Sequence, residues 1–259
     1  MLPPEKLDRL TAGQYSFNFG QYISEGFSLV NRGVGLAILF TILLFGINMI
    51  LGNLGQLGSL IYSILISPAM VIGFFVYCHH IKYRGKPDIQ DFFSQFHRWK
   101  EILLVGLAQS AVFVVAALVF GLMTGLDWSD PFHINNLGLL ELNADEITST
   151  AMWTGVLLTL IGVVISTTLN FALPLVVFHE YSAGEAIPLS FNILKHKAII
   201  LVVFFIVTAI LMILGVFGLI IAILYTIPAG YAMHYAAFDD IVGSQTEVLE
   251  DDITQHMIL

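Results

Sequence analysis

The chain has 259 residues, of which 57% are hydrophobic and 11% are charged, and its net charge is −9. A soluble domain carries roughly 25% charged residues because its surface must be hydrated, so this composition excludes most soluble folds. The acidic balance gives no basic excess for nucleic-acid binding, and the single cysteine, Cys78, excludes an intrachain disulfide framework. The sequence therefore predicts an all-α integral membrane protein.

Long uncharged stretches set the number of predicted spans, since about 20 helical residues cross the roughly 30 Å hydrocarbon core. The stretch between Arg32 and Lys82 suits two spans joined by the glycine-rich turn 52–58, and the stretch 198–233 is divided near 215–218, where helix propensity falls. One kinked helix over that last stretch, giving five spans, is the alternative. The six predicted spans are residues 33–52, 58–81, 101–125, 150–178, 197–215 and 217–238.

Basic residues lie on one side of this six-span arrangement. All 10 Lys and Arg residues fall on the side of the N-terminus, whereas the predicted external loop, 126–149, contains only acidic charges. Lys and Arg concentrate on the cytoplasmic side of membrane proteins. Both termini, including the acidic tail 244–259, are therefore predicted to be cytoplasmic.

A short segment with helical apolar spacing precedes each pair of spans, and the three segments align with one another. The aligned sequences are FSLVNR at 27–32, FSQFHR at 93–98 and FNILKH at 191–196. Each is followed by one span out and one span back, which predicts three parallel-repeat hairpins around an axis along the membrane normal. The predicted repeats are residues 15–85, 87–180 and 184–243.

These amphipathic segments are expected either to lie at the cytoplasmic membrane interface or to pack on the protein's own cytoplasmic face. For the phenylalanine-rich segment 89–99 the interface is favoured, because aromatic and basic side chains are typical of that depth. The predicted interfacial anchors are Phe27, Arg32, Phe93, Arg98, Trp99, Phe191, Lys195 and Lys197.

The second span of each hairpin contains an interior proline, which removes a backbone hydrogen bond and bends the helix. In a membrane the freed carbonyl needs a partner from a neighbouring helix, a hydroxyl or water. The kinks are therefore either static joints that let the hairpins pack or the walls of a cavity, and buried amides either bond between helices or line a passage. The residues concerned are Pro68, Pro174, Pro228, Asn170 and Gln109, with Asn170 placed to cover a carbonyl near Pro174.

Ionisable side chains collect at the cytoplasmic ends of the second, fourth and sixth spans. They are His79, His80, His179, Glu180, His234, Asp239 and Asp240. Such groups can ligate a metal or relay protons, but none has the spacing of a helical His-Glu-x-x-His site, and polar residues are expected where helices leave the membrane. Neither a metal nor a cofactor is predicted. His234 lies inside its predicted span and needs a hydrogen-bond partner such as Glu180 or Asp239. Alignment of the first and third repeats predicts an ion pair between Lys82 and Asp240.

The sequence EAIPLSF at 185–191, followed by PAGYAMHYAAFDDIV at 228–242, resembles a broad group of mostly uncharacterised bacterial multipass membrane proteins. This group is similar to the membrane domain attached to some glycerophosphoryl diester phosphodiesterases, and the resemblance covers most of 15–243. It implies an all-helical protein of the bacterial inner membrane. It transfers no catalytic residues, since the soluble phosphodiesterase domain has no counterpart in the sequence.

Three classes of function fit these features. A non-enzymatic scaffold or accessory subunit, contacting membrane lipids and a protein partner through its cytoplasmic face or acidic tail, is favoured because no catalytic motif occurs in a usable context. A transporter or channel for a small or lipidic substrate, with a cavity between the three hairpins, is the alternative. A metal-dependent membrane enzyme is the third and requires the histidine and acid cluster to bind a metal.

Overall fold

The secondary structure of the computed structural model is helical throughout the residues that it describes, 1–85, 87–124, 149–217 and 220–244. The α-helices are α1 (Pro4–Thr11), α2 (Phe19–Arg32), α3 (Val34–Gly52), α4 (Gln56–Ile61), α5 (Ser67–Tyr83), α6 (Trp99–Thr124), α7 (Ser149–Thr168), α8 (Ala172–Phe178), α9 (Ala183–Leu194), α10 (Ala198–Phe217) and α11 (Ile220–Ile241). A π-helical turn, Tyr62–Ile66, joins α4 to α5, and 3₁₀ turns occupy Ile89–Phe92, Ser94–Arg98 and Lys195–Lys197.

Among the described residues, five helical stretches are long and apolar enough to cross a membrane. They are Val34–Gly52, Gln56–Tyr83, Ile89–Phe120, Trp153–Phe178 and Ala183–Gly215. Each contains most of one of the first five predicted spans. The sixth predicted span corresponds to α11, which has 22 residues and lies outside this set, so the six-span count stays a prediction.

The stretch 198–233 forms two helices rather than one kinked helix. The Thr226 hydroxyl of α11 donates a hydrogen bond to the Met212 carbonyl of α10 over 3.1 Å. A Cβ built on Gly215 would lie 2.2 Å from the same hydroxyl, so the two helices pack closely where the chain returns. The predicted external loop 126–149 and tail 244–259 lie almost entirely outside the described residues.

Most of the helix contacts join helices that follow one another in the chain, and a contact between the last helix and α3 closes a ring. α3 packs on α4, α6 on the π-helical turn, α7 on α6, α10 on α7, α11 on α10, and α11 also on α3. The segment before each hairpin packs on another hairpin in a regular order: the turn Ile89–Phe92 on α5, α9 on α8, and α2 on α11. Three parallel repeats would give this ring of contacts; the repeats themselves stay a prediction.

The buried core lies toward the end of the bundle where α5, α8 and α11 finish, here called the basic end. Its aromatic rings join the three helices: the ring centroids of Phe75 and Tyr235 are 5.8 Å apart, and those of Phe171 and Phe238 are 5.3 Å apart. Phe178 bridges to both α11 rings. Edge-on and offset ring pairs of this kind stabilise a core beyond the area that they bury.

The amphipathic segments contribute side chains to this core. In α2, the side chains of Tyr22, Leu29 and Val30 are buried, and the helix packs along α11. The segment 89–98 forms two 3₁₀ turns rather than the predicted α-helix. Its Phe92 is buried, whereas Phe93 is 41% exposed, and the interfacial position of this segment stays a prediction.

Candidate functional site

A buried carboxylate ties α2, α5 and α11 together at the basic end. Asp239 lies in the last turn of α11 and is 7% exposed. Its Oδ2 accepts hydrogen bonds from Lys82 Nζ and Tyr83 Oη, both over 2.7 Å, and its Oδ1 accepts from the Ser244 amide and hydroxyl over 3.1 and 2.5 Å. Lys82 Nζ also donates to Glu25 Oε1 of α2 over 2.5 Å. This arrangement compensates the buried charges with hydrogen bonds as well as ion pairs, which a buried carboxylate requires.

The predicted ion pair between Lys82 and Asp240 is wrong by one residue. Asp240 is exposed and accepts a hydrogen bond from Tyr22 Oη over 2.6 Å. Successive helical residues point about 100° apart, so Asp239 faces Lys82 while Asp240 faces α2. Burial, and then the hydrogen bond to Asp240, raise the pKa of the Tyr22 phenol above its usual value.

The predicted histidine and acid cluster is divided among separate partners. His79 Nδ1 lies 3.4 Å from Tyr235 Oη, His80 Nδ1 lies 2.9 Å from Asp91 Oδ2, and His179 Nε2 lies 2.8 Å from the Gly243 carbonyl oxygen. Glu180 is exposed in the turn after α8. Within the part of the chain that the structure describes, no three His, Cys, Asp or Glu side chains are grouped to hold a metal ion.

The predicted acidic partner of His234 is also wrong. Its Nε2 lies 2.9 Å from Thr208 Oγ1 of α10, and its ring centroid lies 4.3 Å from that of Phe205. His234 and Asp239 are five residues apart on α11, so their side chains point in different directions. Beside His234 is a cavity of about 10 Å³, bordered also by Asn170, which admits about one water molecule.

The kink at Pro68 brings the backbones of two hairpins together. The π-helical turn Tyr62–Ile66 ends just before this proline. A Cβ built on Gly106 of α6 would lie 2.0 Å from the Ile64 carbonyl oxygen, four residues before Pro68. Only glycine permits this approach, which places a Cα–H group against the carbonyl that the proline leaves free.

The carbonyl freed by Pro228 is satisfied in a more direct way. Thr41 Oγ1 of α3 lies 3.3 Å from the Leu224 carbonyl oxygen and donates to it. Thr41 is fully buried, so a hydroxyl from the neighbouring helix supplies the partner that hydrocarbon does not.

At the third kink Ser190 bonds backbone groups of the break between α7 and α8, and the role predicted for Asn170 stays a prediction. The chain breaks between α7 and α8, and Pro174 lies in the first turn of α8, where a missing amide is tolerated. Ser190 Oγ of α9 donates to the Thr168 carbonyl over 2.7 Å and accepts from the Phe171 amide over 3.1 Å. Gln109 Nε2 reaches the Leu169 carbonyl only at 3.5 Å, a weak hydrogen bond at best.

The predicted anchors divide into exposed and bonded side chains. Phe93, Trp99 and Phe191 are 41%, 46% and 43% exposed, and Arg32 and Lys195 are exposed as well, whereas Phe27 and Lys197 are half-buried. Arg98 instead donates to the Val176 carbonyl in the last turn of α8. A cation at that position compensates unpaired carbonyls and complements the helix dipole.

A groove lies between α2 and the end of α5, with a volume of about 400 Å³. The residues that line it are Gln21, Ser24, Glu25, Ser28, Leu29, Arg32 and Lys82. Except for Leu29, these side chains are polar or charged, in contrast with the apolar exterior of the bundle. The sequence analysis singled out Arg32 but not the groove, because Lys82 comes from a segment 50 residues away in the chain.

The fold and these contacts define a multipass α-helical membrane protein. Several long helices are apolar, their outer surfaces expose large aliphatic side chains, and their backbone carbonyls at the kinks are satisfied by neighbouring helices. These are the properties that hydrocarbon imposes on a chain.

The protein is related to a known membrane domain over part of its length. The family model described as the membrane domain of glycerophosphoryl diester phosphodiesterase matches residues 144–241. This range contains α7 to α11, with EAIPLSF and nearly all of PAGYAMHYAAFDDIV, so the predicted resemblance is confirmed there. No curated protein and no solved structure matches the chain.

Proposed function

We propose that the protein is a non-enzymatic scaffold or accessory subunit of the bacterial inner membrane, with both termini in the cytoplasm. The observation that carries this proposal is the close packing at the three kinks, where Gly106, Thr41 and Ser190 of neighbouring helices contact backbone carbonyls. Beside the kink at Asn170, the cavity admits about one water molecule. Kinks that are closely packed in this way favour a rigid scaffold over a transporter with a path for substrate.

The basic end offers the surface for a partner. The side chains of Ile89, Phe93 and Phe191 are exposed there, next to the polar and charged groups that end α5 and α9. Apolar side chains rimmed by polar residues are typical of interaction surfaces. The opposite halves of the helices are apolar almost without interruption, which suits lipid chains rather than a soluble partner.

A cross-linking experiment in intact membranes tests the scaffold. A photoreactive amino acid at Gln90, exposed at the basic end, is expected to capture one protein of constant mass. The same amino acid at Ile213, 59% exposed on the apolar surface, is the control and is expected to capture lipid only. Absence of a discrete protein product from Gln90, or the same product from Ile213, would contradict the proposal.

Cys78 tests the transporter alternative without any mutation. Its thiol is fully buried in α5, so a rigid scaffold predicts no reaction with a membrane-permeant maleimide until the protein is denatured. The positive control is Gln90→Cys, which should react in native membranes. Rapid labelling of Cys78 in native membranes would indicate the opening that a transporter requires.

A further inference from the structure

Helix α2 presents a polar stripe to the groove described above. Gln21, Ser24, Ser28 and Arg32 recur at intervals of three and four residues, which places them on one side of a helix. The opposite side of α2 is apolar and packs on α11. The stripe therefore faces away from the core, and Lys82 of α5 closes the other wall of the groove.

One positive charge of the groove has no bonded counter-charge. Its charged lining residues are Arg32, Lys82 and Glu25. Lys82 is bonded to Glu25 and to Asp239, so its charge is compensated within the protein. Arg32 is exposed and has no ion-pair or hydrogen-bond partner in the part of the chain that the structure describes. Its guanidinium is available to an anion from outside.

Arg32 differs in its bonding from the residues that occupy the same position in the two other aligned segments. The corresponding residues are Arg98, which donates to the Val176 carbonyl, and His196, whose Nε2 lies 2.9 Å from the Thr11 carbonyl oxygen. Both therefore have backbone partners within the protein. At the equivalent position in the α2 segment, the described chain supplies no acceptor, and a groove occupies that space instead.

The neighbouring aligned position follows the same pattern. Ser94 donates to the Asp91 carbonyl over 2.9 Å, and Asn192 accepts from Lys195 over 2.9 Å. Ser28, one helical turn before Arg32, has no such side-chain bond in the described part of the chain. A hydroxyl and a guanidinium on one face, both lacking protein partners, are suited to the oxygens of a phosphate group.

The level of the groove relative to the membrane indicates which molecule supplies that phosphate. Arg32 lies two residues before α3, and Lys82 is one residue from the end of α5, so both mark the ends of candidate membrane-spanning stretches. Headgroups of phospholipids lie at this level, and basic pockets between helices bind anionic ones. We propose that the groove binds the phosphate of an anionic phospholipid, with Arg32 and Ser28 as its donors. This proposal rests on the proposed scaffold function and gives its lipid contact a site.

Lipid binding to the delipidated protein in dodecyl maltoside tests the site. Native mass spectrometry with phosphatidylglycerol and phosphatidylcholine of identical acyl chains is expected to show one phosphatidylglycerol held preferentially per chain. Arg32→Gln should weaken that binding about tenfold, since one charge-assisted hydrogen bond is lost. The matched control Arg9→Gln removes the same charge from an exposed position of α1 and should leave it unchanged.

Three outcomes would overturn the proposal. Equal retention of the two lipids, or equal effects of Arg32→Gln and Arg9→Gln, would exclude a specific anionic site. Displacement of phosphatidylglycerol by inorganic phosphate at equal concentration would identify a soluble phosphate as the ligand. If Arg32→Gln does not fold, Ser28→Ala decides by the same measurement, with an expected weakening of about threefold. The Gln90 cross-link should persist in both variants, so its loss would count against the scaffold and not against the lipid site.

Discussion

The two ends of the helical bundle bury their apolar side chains by different means. At the basic end, Phe238 and Tyr235 are fully buried by other side chains. Toward the opposite end, Phe45 of α3 is 47% exposed and Met49 is 69% exposed. Water would make such a surface costly, whereas lipid chains cover it without protein contacts. Protein packing therefore fixes the structure at one end, and the membrane completes burial at the other.

This difference also separates the polar chemistry. Asp239 and its donors, the carbonyl acceptor of Arg98, and the groove of Arg32 all lie at the basic end. A hydrophobic effect between helices is absent in hydrocarbon, so close packing and hydrogen bonds determine which helices associate. The basic end is consequently where substitutions should have the largest effects on stability.

Removal of a ring gives the largest expected contrast between the two ends. Phe238→Ala should destabilise the protein by about 4 kcal/mol because it leaves a cavity in a packed core. Phe45→Ala removes the same atoms from a surface that lipid covers, and should cost less than about 1 kcal/mol. Unfolding by sodium dodecyl sulfate in mixed micelles measures both. Equal losses would mean that the two ends are not packed differently.

Adjacent aspartates give the next contrast. Asp239→Asn should cost about 2 kcal/mol because it leaves Lys82 with Glu25 as its one carboxylate and disturbs the four hydrogen bonds that Asp239 accepts. Asp240→Asn weakens only the bond from Tyr22 and should cost about 1 kcal/mol or less. The same unfolding measurement applies, and a larger effect of Asp240→Asn would contradict the helix rotation described above.

Two glycines of α2 should respond with opposite signs. A Cβ on Gly26 would lie 2.8 Å from the Met233 amide nitrogen, so Gly26→Ala should separate α2 from α11 and cost about 1–3 kcal/mol. Nothing lies within 4 Å of a Cβ on Gly20, and Gly20→Ala should stabilise the helix by about 0.5–1 kcal/mol. Thermal unfolding of the two variants tests whether α2 is packed on the protein or lies free at the interface.

The smallest expected effect is a dependence of stability on pH. Burial lowers the pKa of His179 below its ordinary value of 6.5, so the unfolded chain binds a proton more readily there than the folded chain does. Stability should therefore fall as the pH drops below about 6.5. His179→Gln should reduce this fall, whereas His97→Gln, at an exposed position, should not. A steeper pH dependence in His179→Gln would reverse the inferred sign.

Several elements could be predicted because hydropathy and helix punctuation are local properties. The limits of α3 and the return of the chain between α10 and α11 follow from uncharged length and from glycine spacing. The level at which Lys82 meets α11 also followed from alignment of two segments. These properties depend on position along the helix axis, which the order of residues specifies directly.

Contacts that depend on helix rotation could not be predicted. Asp239 and Asp240 lie at nearly the same level of α11 but point in different directions around the helix axis. The partner of His234 depends on which helix lies beside it. Ser190 was missed for a related reason: a single serine in an apolar segment gives no sign that it bonds two backbone groups of another helix. A groove shared by α2 and α5 likewise becomes visible only when both helices are placed.

The arrangement of both ends across one membrane is tested most directly by thiol labelling. Asn53→Cys lies in the turn after α3, and Gln90→Cys lies at the basic end, with buried Cys78 silent in both variants. A membrane-impermeant maleimide should label Asn53→Cys from one side of sealed vesicles and Gln90→Cys from the other side only. Labelling of both cysteines from the same side would contradict the proposed topology and the comparison of the two ends that depends on it.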